Sequence, residues 1–365
     1  MLFTFYVFNN LKITFFGTTN IFFLTVSKKM ENKIVAFGGY YETGGSVIRD
    51  LLKEYKNVFV FPSEFRLLIK SKGLSDLENA IFNNSGCKNI DIAINDFLWL
   101  CTHIGRKTTK FTRQGFDFDF YTDGNFSKEV NLFINEIVDY KYFMNWHYYD
   151  FQKNYFISQF HRYSTRLLGY KFYEKKAFMS YPDFKKFTFF AKKFLKQIIL
   201  DACNKVKHKG SIFAIHNAVR PIRNHMIDKS HNYFDNLLMI YVDRDPRDVF
   251  LDFPHDRYMA INKKPIERAK NFVKFFLDLR KEQELVSSRP DVLFLKFEEL
   301  IVQYDKQVAW INDFIGTSEK IESLNKKFFD PNKSIKNIGK YKNVSKEIKP
   351  AIKFIEDQLA EFIYL

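Results

Sequence analysis

Three stretches of the sequence combine residue types that bind anions. Gly39-Tyr-Tyr-Glu-Thr-Gly44-Gly45-Ser46 has the spacing of the phosphate-binding loop GxxxxGK[ST], with the lysine replaced by Gly45. Backbone N–H groups of such a loop, with a helix N-terminus behind them, can cradle an anion, but the β and γ phosphates of a nucleoside triphosphate lose their usual cation. Nucleotide binding survives that exchange, whereas ordinary ATP hydrolysis does not follow from it. The competing reading is a glycine turn that caps a helix near Ser46. In the second stretch, LLMIYVDRDPRDVFLDF, an apolar run delivers Arg244 and Arg247 around Pro246. A strand-end arginine can grip a phosphate through two parallel donors, while Asp243, Asp245 and Asp248 equally offer structural pairing. The third, NKSIKNIGKYKN, is a lysine-rich glycine loop near the C-terminus whose plainer reading is a solvated turn.

The elements that must position these residues read as α/β. Lys33 to Phe37 is a short apolar run ending in Gly38-Gly39, and Ser46 to Tyr55 has helical spacing through Val47, Leu51 and Leu52. Val58 to Phe61 predicts a second strand closed by Pro62, Leu237 to Asp243 a third buried on both faces, and Val292 to Phe297 a fourth. Helices are expected over Ile301–Phe314 and Lys349–Tyr364. Parallel strands joined by helices bind ligands at their carboxyl edge, which is where Arg244 falls. Between about 75 and 200 the pattern is helical and aromatic, with no strong strand signal, and reads as a helical layer over the sheet. A sharper reading has Trp146, His147, Tyr148 and Tyr149 lining an acceptor groove, since exposed aromatic faces stack on sugar rings or apolar acceptors.

Composition sets the bounds. The 365 residues carry a net charge of +15, and 44 Phe, 20 Tyr and 3 Trp with only 9 Pro exclude disorder and fibrous classes. The basic residues are dispersed and mostly lysine, without a run of five, so an anionic small molecule or glycan accounts for the charge without nucleic acid. Cys87, Cys101 and Cys203 form no CxxC pair, which fits a reducing cytoplasm and free thiols and gives no support for a metal site. The first 29 residues are apolar, but Asn9, Asn10, Lys12 and Asn20 break every run short of the roughly 20 residues a spanning helix needs, so no stable membrane insertion is expected. Because α/β patterning begins just after Met30, residues 1–29 are expected to be a misassigned extension, with one domain over 30–365.

Taken in order, FGGYYETGGSVIRDLL, RDPRDV, FEEL and GKYKN resemble the sulfotransferase family, in flavour nearest the bacterial members acting on capsular or other surface glycans. That family places a 5′-phosphosulfate loop after the first strand, R-[ND]-P-[RK]-D-[VA] at a strand end, [YF]-E-[DE]-L opening a helix, and a late G-x-[WY]-K loop. The resemblance implies a P-loop-like three-layer α/β fold, with a central, mostly parallel sheet and a large helical insertion. It also implies 3′-phosphoadenosine 5′-phosphosulfate (PAPS) as sulfuryl donor, with no metal. Carried over by position, Thr43, Gly44, Gly45, Ser46 and Val47 would hold the 5′-phosphosulfate and Arg244 the 3′-phosphate. The serine usual eight residues beyond that arginine is Asp252 here. In the late loop Ser334-Ile335-Lys336 replaces Arg-Lys-Gly, so Lys336, Lys340 and Lys342 become the candidate cations, with Asn337 and Gly339 supplying backbone or amide contacts.

The family's loop lysine is missing, because Glu42, Thr43 and Gly45 occupy the places where it would fall; Arg66, Arg106 and Lys107 are candidate replacements. For the base, the glycan-sulfating branch places a glutamate just after the second strand, matched by Glu64. A carboxylate in a partly dry cleft can take the acceptor's proton. His216, in IFAIHNAVRP, is the alternative base, and His103 trails both. The reading is therefore a cytoplasmic transferase acting on a carbohydrate or other small acceptor. A nucleotide-dependent kinase and a catalytically silent nucleotide or glycan binder stand beside it.

Overall fold

A computed structural model describes residues 32–83, 86–108, 115–144, 154–168, 175–253 and 264–364. Residues 1–29 and Trp146 to Tyr149 lie outside the described residues.

Five strands, β1 (Lys33–Gly39), β2 (Val58–Glu64), β5 (Ile212–His216), β6 (Leu237–Asp243) and β7 (Val292–Lys296), form a parallel sheet in the order β2-β5-β1-β6-β7. The two strands between them in sequence, β3 (Tyr140–Met144) and β4 (Lys175–Met179), pair separately as an antiparallel ribbon. The helices that matter for the site are α1 (Ser46–Leu52), α2 (Leu74–Asn83), α3 (Cys87–Gly105), α4 (Asn125–Ile137), α5 (Tyr155–Leu168), α6 (Phe184–Lys205), α7 (Pro246–Asp252), α8 (Pro265–Arg280), α9 (Phe297–Val302), α10 (Tyr304–Ile315) and α11 (Lys349–Gln358).

Period-two alternation divides the core. In β1, Ile34 and Ala36 join Phe213, Met239 and the apolar stripes of α2, α3, α4 and α6, while Val35 and Phe37 join Ala214, Ile240 and the stripes of α1 and α10. A strand covered on both faces must be apolar throughout, which is why β1 and β6 read as unbroken hydrophobic runs. The result is the expected three-layer, P-loop-like α/β fold. A third cluster packs α7, α8 and α11 together around Phe250, Phe272, Phe276 and Ile355.

The elements differ from expectation in specific places. β2 continues through Pro62 to Glu64, because it is the sheet's edge strand and its register shifts between Val60 and Glu64, where the missing N–H costs no ladder bond. The apolar run before His216 is itself a strand, inserted between β1 and β2. The β3–β4 ribbon lies inside the stretch read as helical; its strands are separated by a long connection holding α5, so no short turn betrays it. Buried Asp91 of α3 accepts the Phe178 N–H at 2.9 Å and so fastens the ribbon to the helical layer. The final helix stops at Gln358, followed by a short 3-10 turn at Ala360–Phe362. Among the described residues no helix is long and apolar enough to cross a membrane.

Candidate active site

The carboxyl ends of β1, β2, β5 and β6 open into one cleft of about 400 Å³. Beyond β1 the chain turns at Gly44 with φ of +91°, a backbone that glycine adopts without a Cβ clash. A side chain there would press into the Phe297 ring at 2.5 Å, and one at Gly45 would meet the Gly38 carbonyl carbon at 2.8 Å. The loop therefore presents backbone to the cleft. Thr43 is 2% exposed, and its Oγ1 is buried with no hydrogen-bond partner among the described residues. The Val47 N–H closes the turn on the Gly44 carbonyl at 2.9 Å.

On one side of this loop stands Arg244, at the end of β6 and 5% exposed. Its Nη1 donates to Asp252 at 2.8 Å and its Nη2 to the Asn337 carbonyl at 2.6 Å, while the guanidinium lies over the Phe297 ring at 4.9 Å. Its Nε is buried without a partner among the described residues. Asp252 also receives Lys340 at 2.9 Å. Burial pushes the Asp252 carboxyl up, but the hydrogen bonds from Lys340 and Arg244 outweigh it and hold the group below the usual carboxylate range. An aspartate can thus occupy the serine's place because two cations flank it. Asp248, buried on α7, accepts the N–H groups of Gly339 at 2.6 Å and Tyr341 at 3.2 Å, which pins the late glycine loop against the cleft. Arg247 points elsewhere. It grips Asp245 at 2.7 Å and Glu356 of α11 at 3.0 Å, beneath the Tyr341 ring, and is a structural tie.

On the other side of the loop, Glu64 of β2 and His216 of β5 are register partners. Glu64 Oε1 accepts the Asn217 amide at 2.9 Å and Oε2 pairs with Arg66 at 2.7 Å. His216 is 9% exposed and stacks on Phe37 at 5.0 Å. Burial pushes its imidazole down to about 4 against the pull of Glu64, so the ring is neutral near pH 7. Asn217, with φ of +56°, turns the chain out of β5, and Arg220 returns to the cleft to donate to the Tyr41 hydroxyl at 2.7 Å.

Thr43, Gly44, Gly45, Ser46, Val47, Glu64, His216, Arg244 and Asn337 thus all border the one cleft. Gly339 and Lys340 stand behind it, holding Asp248 and Asp252. Lys336 and Lys342 are exposed and outside its lining. Of the replacement cations only Arg66 reaches the cleft; Arg106 and Lys107 follow α3, and His103 hydrogen-bonds the Trp99 carbonyl within that helix. Sequence reasoning missed Asn217 and Arg220, although both lie in the segment that drew attention to His216. Among the described residues no group of three His, Cys, Asp or Glu could hold a metal ion.

The family model of the sulfotransferase domain matches residues 122–358, more than half of the chain, taking in His216, Arg244 and the late glycine loop. Among solved structures, the chain is similar to the sulfotransferase domain of the olefin synthase from Synechococcus PCC 7002, with 13% identity, 90% of this chain and 96% of that one covered and a TM-score of 0.43. It is similar to the sulfotransferase domain from the curacin biosynthetic pathway at 12% identity, covering 92% and 99% with a TM-score of 0.44. The sulfotransferase STF9 from Mycobacterium avium follows at 10% identity, 92% and 78% covered and a TM-score of 0.37. No curated protein matches. The family match over most of the chain is what decides: the chain belongs to the sulfotransferase domain family.

Proposed function

We propose that the protein is a PAPS-dependent sulfotransferase whose acceptor is a hydroxyl or amine of a carbohydrate, a surface or capsular glycan. One observation carries the reading: a backbone-lined glycine loop, a buried strand-end arginine and a Glu/His pair meet in a single cleft. The residues fit an anionic nucleotide, since Thr43 Oγ1 and Arg244 Nε, both on residues bordering the cleft, are buried polar atoms that an anion's oxygens would satisfy. Thr43 to Ser46 would hold the 5′-phosphosulfate and Arg244 the 3′-phosphate. PAPS, when bound, supplies a sulfuryl group linked to phosphate through an oxygen that departs with 3′,5′-adenosine bisphosphate.

Glu64 takes the acceptor's proton as the acceptor oxygen bonds to sulfur. Asn217 hydrogen-bonds one of its carboxylate oxygens and the Arg66 guanidinium lies 2.7 Å from the other. Neutral His216 stands beside it and completes the apolar-to-polar boundary on Phe37. The glutamate is also what favours a glycan acceptor, because the glycan-sulfating branch uses a carboxylate at this place. One domain over residues 30–365 holds every residue named in this site.

Titration calorimetry of the protein with 3′,5′-adenosine bisphosphate in metal-free buffer tests the reading. Micromolar binding that Arg244→Ala weakens at least tenfold is expected, the size of one lost charge-assisted contact. Preference for ATP with Mg²⁺ would instead put a kinase first, and bisphosphate binding without transfer to any glycan of a broad panel would favour the silent binder.

A further inference from the structure

The cleft holds three arginines from three strand ends, and two of them are neutralised: Arg244 by Asp252 at 2.8 Å and Arg66 by Glu64 at 2.7 Å. Arg220 has no carboxylate partner among the described residues. Among the described residues its one hydrogen bond goes to the Tyr41 hydroxyl, and its guanidinium lies 5.0 Å from the Tyr41 ring centroid. It is half-buried, and among the described residues only the Tyr41 hydroxyl accepts from its five N–H donors. Its place is also distinctive. Arg244 follows β6 and Arg220 follows β5, on opposite sides of central β1, so the two flank the glycine loop. Tyr41 belongs to that loop, and His216, register partner of Glu64, lies four residues before Arg220. The guanidinium is therefore tethered to the anion-binding loop, in the cleft that the Glu/His pair also lines.

Resting on the PAPS reading above, we propose that Arg220 is a catalytic residue of this chain whose guanidinium contacts the sulfuryl group being transferred. A loop without its own lysine leaves that charge to be met from elsewhere, and Arg220 is the cleft arginine with no carboxylate partner among the described residues. During transfer the acceptor proton passes to Glu64, the acceptor oxygen bonds to sulfur, and the bond from sulfur to the bridging oxygen breaks with its electron pair on that oxygen. Arg220 exchanges no proton and stabilises the charge as it moves.

PAPS and 3′,5′-adenosine bisphosphate differ by that sulfuryl group, so binding alone tests the assignment without an acceptor. Calorimetric titrations of wild type, Arg220→Ala, Arg220→Lys and Arg244→Ala with each nucleotide should show Arg220→Ala losing about tenfold or more in PAPS affinity. Its bisphosphate affinity should stay within about twofold, Arg220→Lys, which keeps the charge but not the planar fork of donors, should recover part of the loss, and Arg244→Ala should weaken both ligands together. If Arg220→Ala fails to fold, Tyr41→Phe, which frees the guanidinium from its tether, should still weaken PAPS selectively. Equal losses for both nucleotides, or none for either, overturn the proposal while leaving the PAPS reading intact; unchanged affinities would assign Arg220 to the acceptor instead. A wild-type protein that binds neither nucleotide overturns the PAPS reading itself, and this inference with it.

Discussion

Glu64 has a neighbour at each carboxylate oxygen, the Asn217 amide hydrogen-bonded to one and the Arg66 guanidinium ion-paired with the other. Exchanging it for glutamine keeps the shape and the Asn217 side of that frame but removes the proposed proton acceptor. Turnover of Glu64→Gln is expected to fall by about 10²-fold or more, the range of a lost general base, with bisphosphate affinity unchanged in calorimetry. A variant that turns over normally, set against an inactive His216→Asn, would move the base to the histidine. Gly44 is a second residue where local geometry decides. Gly44→Ala requires a left-handed alanine at about 1–2 kcal/mol and drives a methyl into the Phe297 ring on which Arg244 rests. Bisphosphate binding should weaken at least tenfold and the melting temperature should drop by several degrees; a variant with wild-type affinity would show that the loop does not bind the nucleotide.

At the scale of elements, the cleft exists because four strand ends stop at one edge, and the order β2-β5-β1-β6 decides which residues become neighbours. The proposed base pair sits on the β2–β5 side, Arg244 on the β6 side, and the glycine loop of β1 between them. The β3–β4 ribbon is a satellite of this sheet, tied to α3 through Asp91, which is 1% exposed and also accepts the Asn95 amide at 3.0 Å. Asp91→Ala leaves the half-buried Phe178 N–H short of its protein partner, at about 1–3 kcal/mol at most. Hydrogen exchange should then quicken in residues 175–179 and 140–142 while β1 and β6 keep their protection. Uniform loss across the sheet would mean that Asp91 supports the whole core rather than one ribbon.

For the whole molecule, burying a neutral imidazole at the sheet edge couples folding to pH. His216 faces Glu64, Arg49, Arg66 and Asp50, and burial lowers its folded value from the usual 6.5 to about 4. In that interval the unfolded chain binds a proton that the folded protein refuses, so stability declines as pH falls from about 6.5 to about 4, by at most about 1.4 kcal/mol per pH unit from this group. Melting temperatures between pH 7 and 4.5 should fall more steeply for wild type than for His216→Gln; parallel curves would show that the ring is not buried in its neutral form. Asp252 and Asp243 act in the opposite sense of charge. Their folded values lie below the usual 3.8, and the stability they contribute is lost only at more acid pH.

Much of this protein was legible without coordinates because its signals are local. Apolar runs of strand length, a glycine turn of fixed spacing, Arg244 after a buried run and a glutamate after a second strand each follow from a few adjacent residues, and their order along the chain pointed to the family. Side-chain alternation in β1 and β6 then required cover on both faces, which is the three-layer arrangement found. Other features were decided only by tertiary structure, because they depend on contacts between distant segments. The Arg244–Asp252–Lys340 network is closed by a lysine 88 residues beyond the aspartate, turning an aspartate that looked hostile to anions into a flanked partner. The β3–β4 ribbon pairs strands with no turn between them to announce it. Arg220 shows the same limit. Its segment was noticed for His216, yet that this arginine lacks a carboxylate among the described residues and reaches Tyr41 across 179 positions depends on how β5 is placed beside β1, which no local pattern specifies.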